Sequence, residues 1–158
     1  MALMSGHTNT ALVQPVKKIR RGISRGGNTT KIHMVVESGG LPIDFDVTGG
    51  EVNDCTAAPE LIEKLPVSDY VIADKGYDSE KIRDQIRKKS STPVIPRKSN
   101  SKAGNGDMDW CLYGYRHLLE NTFARLKHFR AIATRYDKLK RNFASTLALG
   151  CSYMWLPM

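Results

Sequence analysis

Asp69-Tyr70-Val71-Ile72-Ala73 is a short apolar run bounded by turn residues, and Asp74 follows it at once. An unbroken run of this kind is the pattern of a strand covered on both faces. Its flanks complete the picture. Ala57 to Leu65 reads as a helix ended by Pro66, and Ser79 caps a second helix through about Lys89. Thr92-Pro93-Val94-Ile95-Pro96 reads as a strand whose prolines favour an edge. Upstream, Thr29 to Val36 and the nearly strict alternation of Leu41 to Val47, joined by Ser38-Gly39-Gly40, predict a hairpin with one buried face. The order hairpin, helix, strand, helix, strand, long helix describes an α/β sheet covered by helices. At 158 residues, 41% hydrophobic and 25% charged, the chain has the size and composition of one ordinary domain.

A polar Asp74 at the carboxyl tip of a buried strand stands where open α/β sheets place reactive groups. Asp-Lys-Gly-Tyr-Asp-Ser is equally a turn or cap sequence, and both readings stand at this stage. Further along, Tyr113, Arg116, Glu120 and Lys127 are separated by two, three and six residues. At about 100° per residue they share roughly a 60° arc of a helix expected to run from about Tyr113 to Tyr136. One carboxylate among cations and a phenol on a helical face points to work on phosphates. Asp74 and Glu120 together could supply the one or two carboxylates that Mg²⁺ prefers beside water and substrate phosphate. Phe143 to Leu156 is apolar nearly all round and is expected to be buried against the sheet or another subunit.

Charge is distributed in blocks. Residues 1–36 carry six Lys and Arg and no acid, residues 37–74 carry nine acids against Lys64, and residues 116–141 carry eight Lys and Arg against two acids. Two basic blocks around an acidic middle fit a protein that grips a polyanion, although a solvated surface with a basic leader gives the same composition. No stretch approaches the roughly 20 apolar residues of a membrane span, so a cytoplasmic protein is expected. Cys55, Cys111 and Cys151 lie far apart with no CxxC pair, and His7, His33, His117 and His128 lack zinc-site spacing. Trp110 and Trp155 read as core residues. Asp44 and Asp46 belong on the solvent face of the hairpin, while Asp54 is a candidate for the site edge.

Tyr113, Arg116, Glu120 and Lys127 match at every position the Y-(2)-R-(3)-E-(6)-K signature of one group of DDE transposases of bacterial insertion sequences. RGGNTTKIH (Arg25 to His33), ADKGYDS (Ala73 to Ser79) and RLKHFRAIATRYDKLKRNF (Arg125 to Phe143) also resemble that family. The resemblance implies a ribonuclease-H-like core and divalent metal, Mg²⁺ or Mn²⁺, held by Asp74 and Glu120 as the second and third acids of a catalytic triad. It also implies that Tyr113, Arg116, Lys127, Arg125 and Arg130 contact DNA, both the element ends and the target, in a homo-oligomer. One departure is evident: the family's first Asp lies on the first, central strand, and no carboxylate precedes Glu37 here.

The division drawn from this is an irregular basic leader over residues 1–24 and a partial catalytic domain over 25–158. The first central strand is expected to be missing, with the gene truncated or an upstream-frame polypeptide supplying the strand. Such a chain is expected to fold poorly and not to cut DNA. Two other functions fit the residues: a non-catalytic DNA-binding remnant, and a ribonuclease-H-like nuclease of another substrate.

Overall fold

A computed structural model of the chain describes residues 10–20, 29–50 and 52–156. Five strands form one mixed sheet: β1 (Thr10–Arg20), β2 (Thr29–Val36), β3 (Pro42–Gly49), β4 (Tyr70–Ala73) and β5 (Thr92–Val94), in the order β3-β2-β1-β4-β5. β1 runs antiparallel to β2 and parallel to β4, and β5 is the parallel edge strand. The expected hairpin is β2 and β3. Its turn is closed by the Gly40 N–H donating to Glu37 O, with Gly40 at φ +81, a conformation that carries no Cβ penalty in glycine.

The central strand is present. Thr10 to Arg20, read from sequence as part of an irregular leader, pairs on both sides at the middle of the sheet, so β2 and β4 have no exposed ladder edges there. Two features hid it. Its apolar segment is only Ala11-Leu12-Val13, and Pro15, which gives the ladder no N–H, sits opposite His33 in a central strand where proline is normally excluded. A register shift between Val16 and Ile19 further breaks any period-2 pattern. Neighbours on both sides, rather than intrinsic preference, make this segment a strand. The rest of the expected leader, the Arg25 to Asn28 part of RGGNTTKIH and His7 lie outside the described residues.

Each strand presents alternate residues to two cores. Val71 and Ala73 of β4 join Ala11, Val13 and Val35 beneath α1 (Asp54–Lys64) and α2 (Glu80–Lys88). Ile72 joins Leu12, Met34 and Val36 on the other face. There they meet Leu119 and Phe123 of α4 (Arg116–Lys127), Ile132 of α5 (Arg130–Thr134), and Phe143 and Leu147 of α6 (Lys140–Met154). Burying each of these large side chains contributes on the order of 1.5–3 kcal/mol. Asn53 caps α1 by accepting the Cys55 N–H, and the last of the α1 backbone is closed at Leu65, just before Pro66.

The long helix expected from Tyr113 to Tyr136 is three helices. α3 (Trp110–Gly114) precedes α4, Phe129 is extended between α4 and α5, and Arg135 ends α5 in the left-handed region. Periodicity alone did not mark these breaks because the apolar stripe of Leu119, Phe123 and Leu126 continues to Ile132 across them. α6 buries Phe143, Leu147, Cys151 and Met154 but leaves Leu149 and Tyr153 exposed. Among the described residues no helix is long and apolar enough to cross a membrane.

Candidate active site

β4 delivers Asp74 to the carboxyl end of the sheet, where the chain turns into a short 3-10 segment, Lys75–Tyr77. The turn reading of Asp74 holds: its Oδ1 accepts the Lys75 N–H at 2.8 Å, and its carbonyl accepts the Tyr77 N–H at 2.9 Å. The same carboxylate also faces α3 and α4. Tyr113, on α3, donates its hydroxyl to Asp74 Oδ1 at 3.4 Å, and Arg116 Nη1 stands 4.0 Å from that oxygen. Arg116 Nη2 meets Glu120 Oε1 at 2.8 Å, one turn along α4. One guanidinium therefore spans the two acids, and it also lies over the Tyr113 ring at 5.6 Å from the centroid. Burial raises the Tyr113 phenol above its usual value; the Arg116 charge opposes this, and the Asp74 charge and hydrogen bond add to it.

Tyr113 reaches this cluster from α3, not from the helix that carries Glu120. The chain stays close to helical through Tyr115, at φ −60 and ψ −10, so the expected proximity of Tyr113 to Arg116 survives the break. Lys127 does not join the cluster: it is exposed at the far end of α4, about 10 Å of helix rise from Glu120. Arg125 and Arg130 are exposed near it. His117, expected near the acids, is exposed and bonds through Nδ1 to the Gly114 carbonyl at 2.8 Å.

Behind Asp74 lies a polar network that the spacing of residues gave no sign of. His33, wholly buried in β2, shares one hydrogen bond with the Tyr77 hydroxyl at 2.9 Å through Nδ1 and one with Thr48 Oγ1 at 2.9 Å through Nε2. Burial lowers the imidazole pKa, with Asp54 and Asp46 pulling the other way. Burial likewise holds the Tyr77 phenol well above its ordinary value. Asp54, at the start of α1, pairs with Lys31 at 3.0 Å. A Cβ on Gly76 would stand 2.9 Å from Asp54 Oδ2, and the Cys55 thiol donates to the Gly76 carbonyl at 3.2 Å. Asp54 thus packs on the turn that follows Asp74. The cue available in sequence was the alternation of Lys31, His33 and Val35 on one strand face.

A second clamp holds the other end of that turn. Arg83, 4% exposed, donates to Asp78 Oδ1 at 2.9 Å and to Ile95 O at 2.6 Å. Asp78 Oδ2 accepts the Lys98 N–H at 2.8 Å. Burial works against the Asp78 charge and is outweighed by the Lys98 N–H and Arg83, so its carboxyl titrates below the usual range.

Val13 of β1 pairs with Ala73 of β4, so Gln14 stands level with Asp74. The central strand is present, and Thr10–Arg20 contains no Asp or Glu. Among the described residues there is no group of three or more His, Cys, Asp or Glu that could hold a metal ion, and the two acids that do converge are spanned by a guanidinium. As arranged here, Arg116 engages the Asp74 and Glu120 oxygens, and it would have to swing away for the two acids to hold a divalent metal between them.

The strand order, the central β1 beside β4 and the helices on both faces define a ribonuclease-H-like fold, which the catalytic core domain of BIV integrase shares. That domain superposes with a TM-score of 0.52 at 12% identity, covering 91% of this chain and 81% of that one. The chain belongs to the DDE transposases of insertion sequences, since residues 6–107 match the family described as "Transposase DDE domain". It is 34% identical over 128 residues to a protein named for the transposase of element IS6501 of Brucella ovis, spanning 81% of this chain and 98% of that protein. To the corresponding protein of element IS402 of Burkholderia cepacia it is 33% identical over 133 residues, 77% of this chain and 60% of that one.

Proposed function

We propose that this chain serves DNA transposition by holding element-end DNA against the Asp74–Glu120 edge, and that on its own it does not cut that DNA. The observation that carries this is the convergence of Asp74, Tyr113, Arg116 and Glu120 at one sheet tip, with Gln14 at the register position where a third carboxylate is needed. Asp74 and Glu120 are the catalytic acids in this reading. Arg116 and Tyr113 orient the scissile phosphate, and Arg125, Lys127 and Arg130 neutralise backbone phosphates. The latter contribution is largely independent of sequence and weakens with salt.

The whole reaction, strand cleavage and strand transfer in the presence of Mg²⁺ or Mn²⁺, belongs to a form with a carboxylate at position 14. It takes place in the cytoplasm, where the element lies, in an oligomer able to hold the element ends and the target. The experiment measures binding of labelled element-end duplex by anisotropy, and nicking with Mg²⁺, for the native chain and for Gln14→Asp. The native chain should bind with strong salt dependence and leave the DNA intact, and Gln14→Asp should nick it. Cleavage by the native chain, or binding insensitive to salt between about 50 and 200 mM, would refute the proposal.

A further inference from the structure

α6 has a second face that the core does not use. From Asn142 to Leu156 the chain carries no charged residue, yet Asn142, Ser145, Leu149, Ser152 and Leu156, spaced alternately three and four apart, are all exposed. A helix with one face in solvent normally sets charged and polar side chains there. Here that face holds Leu149 at 73% exposure, with Tyr153 and Leu156 beside it. Trp155, read from sequence as a core residue, stands 52% exposed at its end. The indole is held in place, since the backbone keeps helical angles, φ −83 and ψ −13, and the indole N–H donates to Pro42 O at 2.8 Å.

The two ends of this face are complementary. Trp155 lines a cavity of about 430 Å³ together with Pro42, Ile43, Pro66, Val67 and, as its acid, Glu37. Among the described residues Glu37 takes part in no ion pair, and neither does exposed Arg141 at the start of α6. Apolar walls with one carboxylate suit an arginine, whose methylenes pack while its guanidinium meets the acid and the indole. Arg141 cannot fill its own chain's cavity, because about 21 Å of helix rise separates it from Trp155. A second copy can supply it. In an antiparallel pair with Leu149 on the two-fold axis, Asn142 comes opposite Leu156 of the other copy, and Arg141 reaches the cavity beside it. Ser145 and Ser152, small residues on either side of Leu149, let the helices approach, and the Ser145 hydroxyl is already satisfied by the Arg141 carbonyl at 3.0 Å.

We infer that the charge-free face of α6 is a self-association surface, on which two copies pair their α6 helices antiparallel and each sets Arg141 into the other's cavity against Glu37. Such a contact is isologous, so every interaction occurs twice. The exposed parts of Leu149, Tyr153, Trp155, Leu156 and Ile43 offer on the order of 500 Å² of apolar surface per copy, most of the about 800 Å² per partner of a standard interface. A partner other than a second copy gives no reason for an unpaired cation and an unpaired acid to stand at opposite ends of one apolar helix face. The surface lies on α6 and not at the Asp74–Glu120 site, and it does not rest on DNA holding.

The test uses the full chain without DNA. Sedimentation equilibrium at micromolar concentration should give about twice the 17.6 kDa mass of the chain. Leu149→Arg should sediment as a monomer with unchanged near-ultraviolet circular dichroism, since position 149 lies outside the core. Arg141→Glu and Glu37→Arg, each self-repelling across the two-fold, should each raise the dissociation constant at least tenfold. Mixed one to one, these two variants should recover the dimer, because every contact then joins opposite charges. A monomeric native chain, a dimer indifferent to Leu149→Arg, or failure of the mixture to reassociate would overturn the inference. A native dimer that disperses with Leu149→Arg but binds no element-end duplex would uphold this surface and refute the DNA-holding function alone.

Discussion

Tyr77→Phe isolates the link between the sheet and the turn that carries Asp74. Tyr77 is 1% exposed and His33 is 0% exposed, so removing the phenol oxygen leaves His33 Nδ1 with no water to replace the lost 2.9 Å partner. Stranding a buried polar atom costs about 1–3 kcal/mol, more than the net worth of a typical hydrogen bond, because the desolvation of the remaining partner is uncompensated. For a domain of this size each kcal/mol moves the melting temperature by about 2–4 °C, giving a drop of about 2–12 °C. Urea denaturation should show a lower midpoint at unchanged slope, since the surface exposed on unfolding is nearly the same. The asymmetry gives a sharper check: His33→Leu together with Tyr77→Phe should cost less than the two single changes summed, by at least about 0.5 kcal/mol. A single-mutant cost under about 0.5 kcal/mol, or strict additivity, would refute the account of a coupled buried pair behind Asp74.

Stability should also depend on pH through His33. Burial places its folded pKa below the ordinary 6.5, so the unfolded chain binds the proton more readily. Its contribution is complete above about pH 6.5 and declines as pH falls toward the folded value; urea midpoints between pH 7.5 and 5.5 should show this slope, reduced in His33→Gln. Cysteine labelling should fall into classes: exposed Cys111 first, half-buried Cys55 more slowly, and Cys151, whose thiol burial pushes up to about 11, only on unfolding. Rapid modification of Cys151 in the native chain would contradict the packing of α6. Gly150→Val should destabilise by about 1–3 kcal/mol in calorimetry, because even a Cβ there lies 2.8 Å from Ile132 Cδ1 and 3.2 Å from Leu126 Cδ2. A neutral result would mean that α5 and α6 are looser than the structure shows.

Elements whose chemistry is local are legible in the residues alone. The alternation of Leu41 to Val47 and the glycine at position 40 fixed the hairpin, the apolar run before Asp74 fixed a strand covered on both faces, and the spacing from Tyr113 to Glu120 announced the acidic site. These follow from periodicity and turn residues, which act over a few positions. Tertiary structure decided what depends on neighbours distant in sequence. Thr10 to Arg20, with Pro15 and three lysines and arginines, becomes the central strand because β2 and β4 offer ladders on both sides. Trp110, read from sequence as a core residue, is exposed on α3, its ring edge to face with that of Tyr113, whose hydroxyl points to Asp74. Gln14 could be matched with Asp74 only through the pairing of Val13 with Ala73, a register set by the sheet as a whole and invisible to any window of sequence.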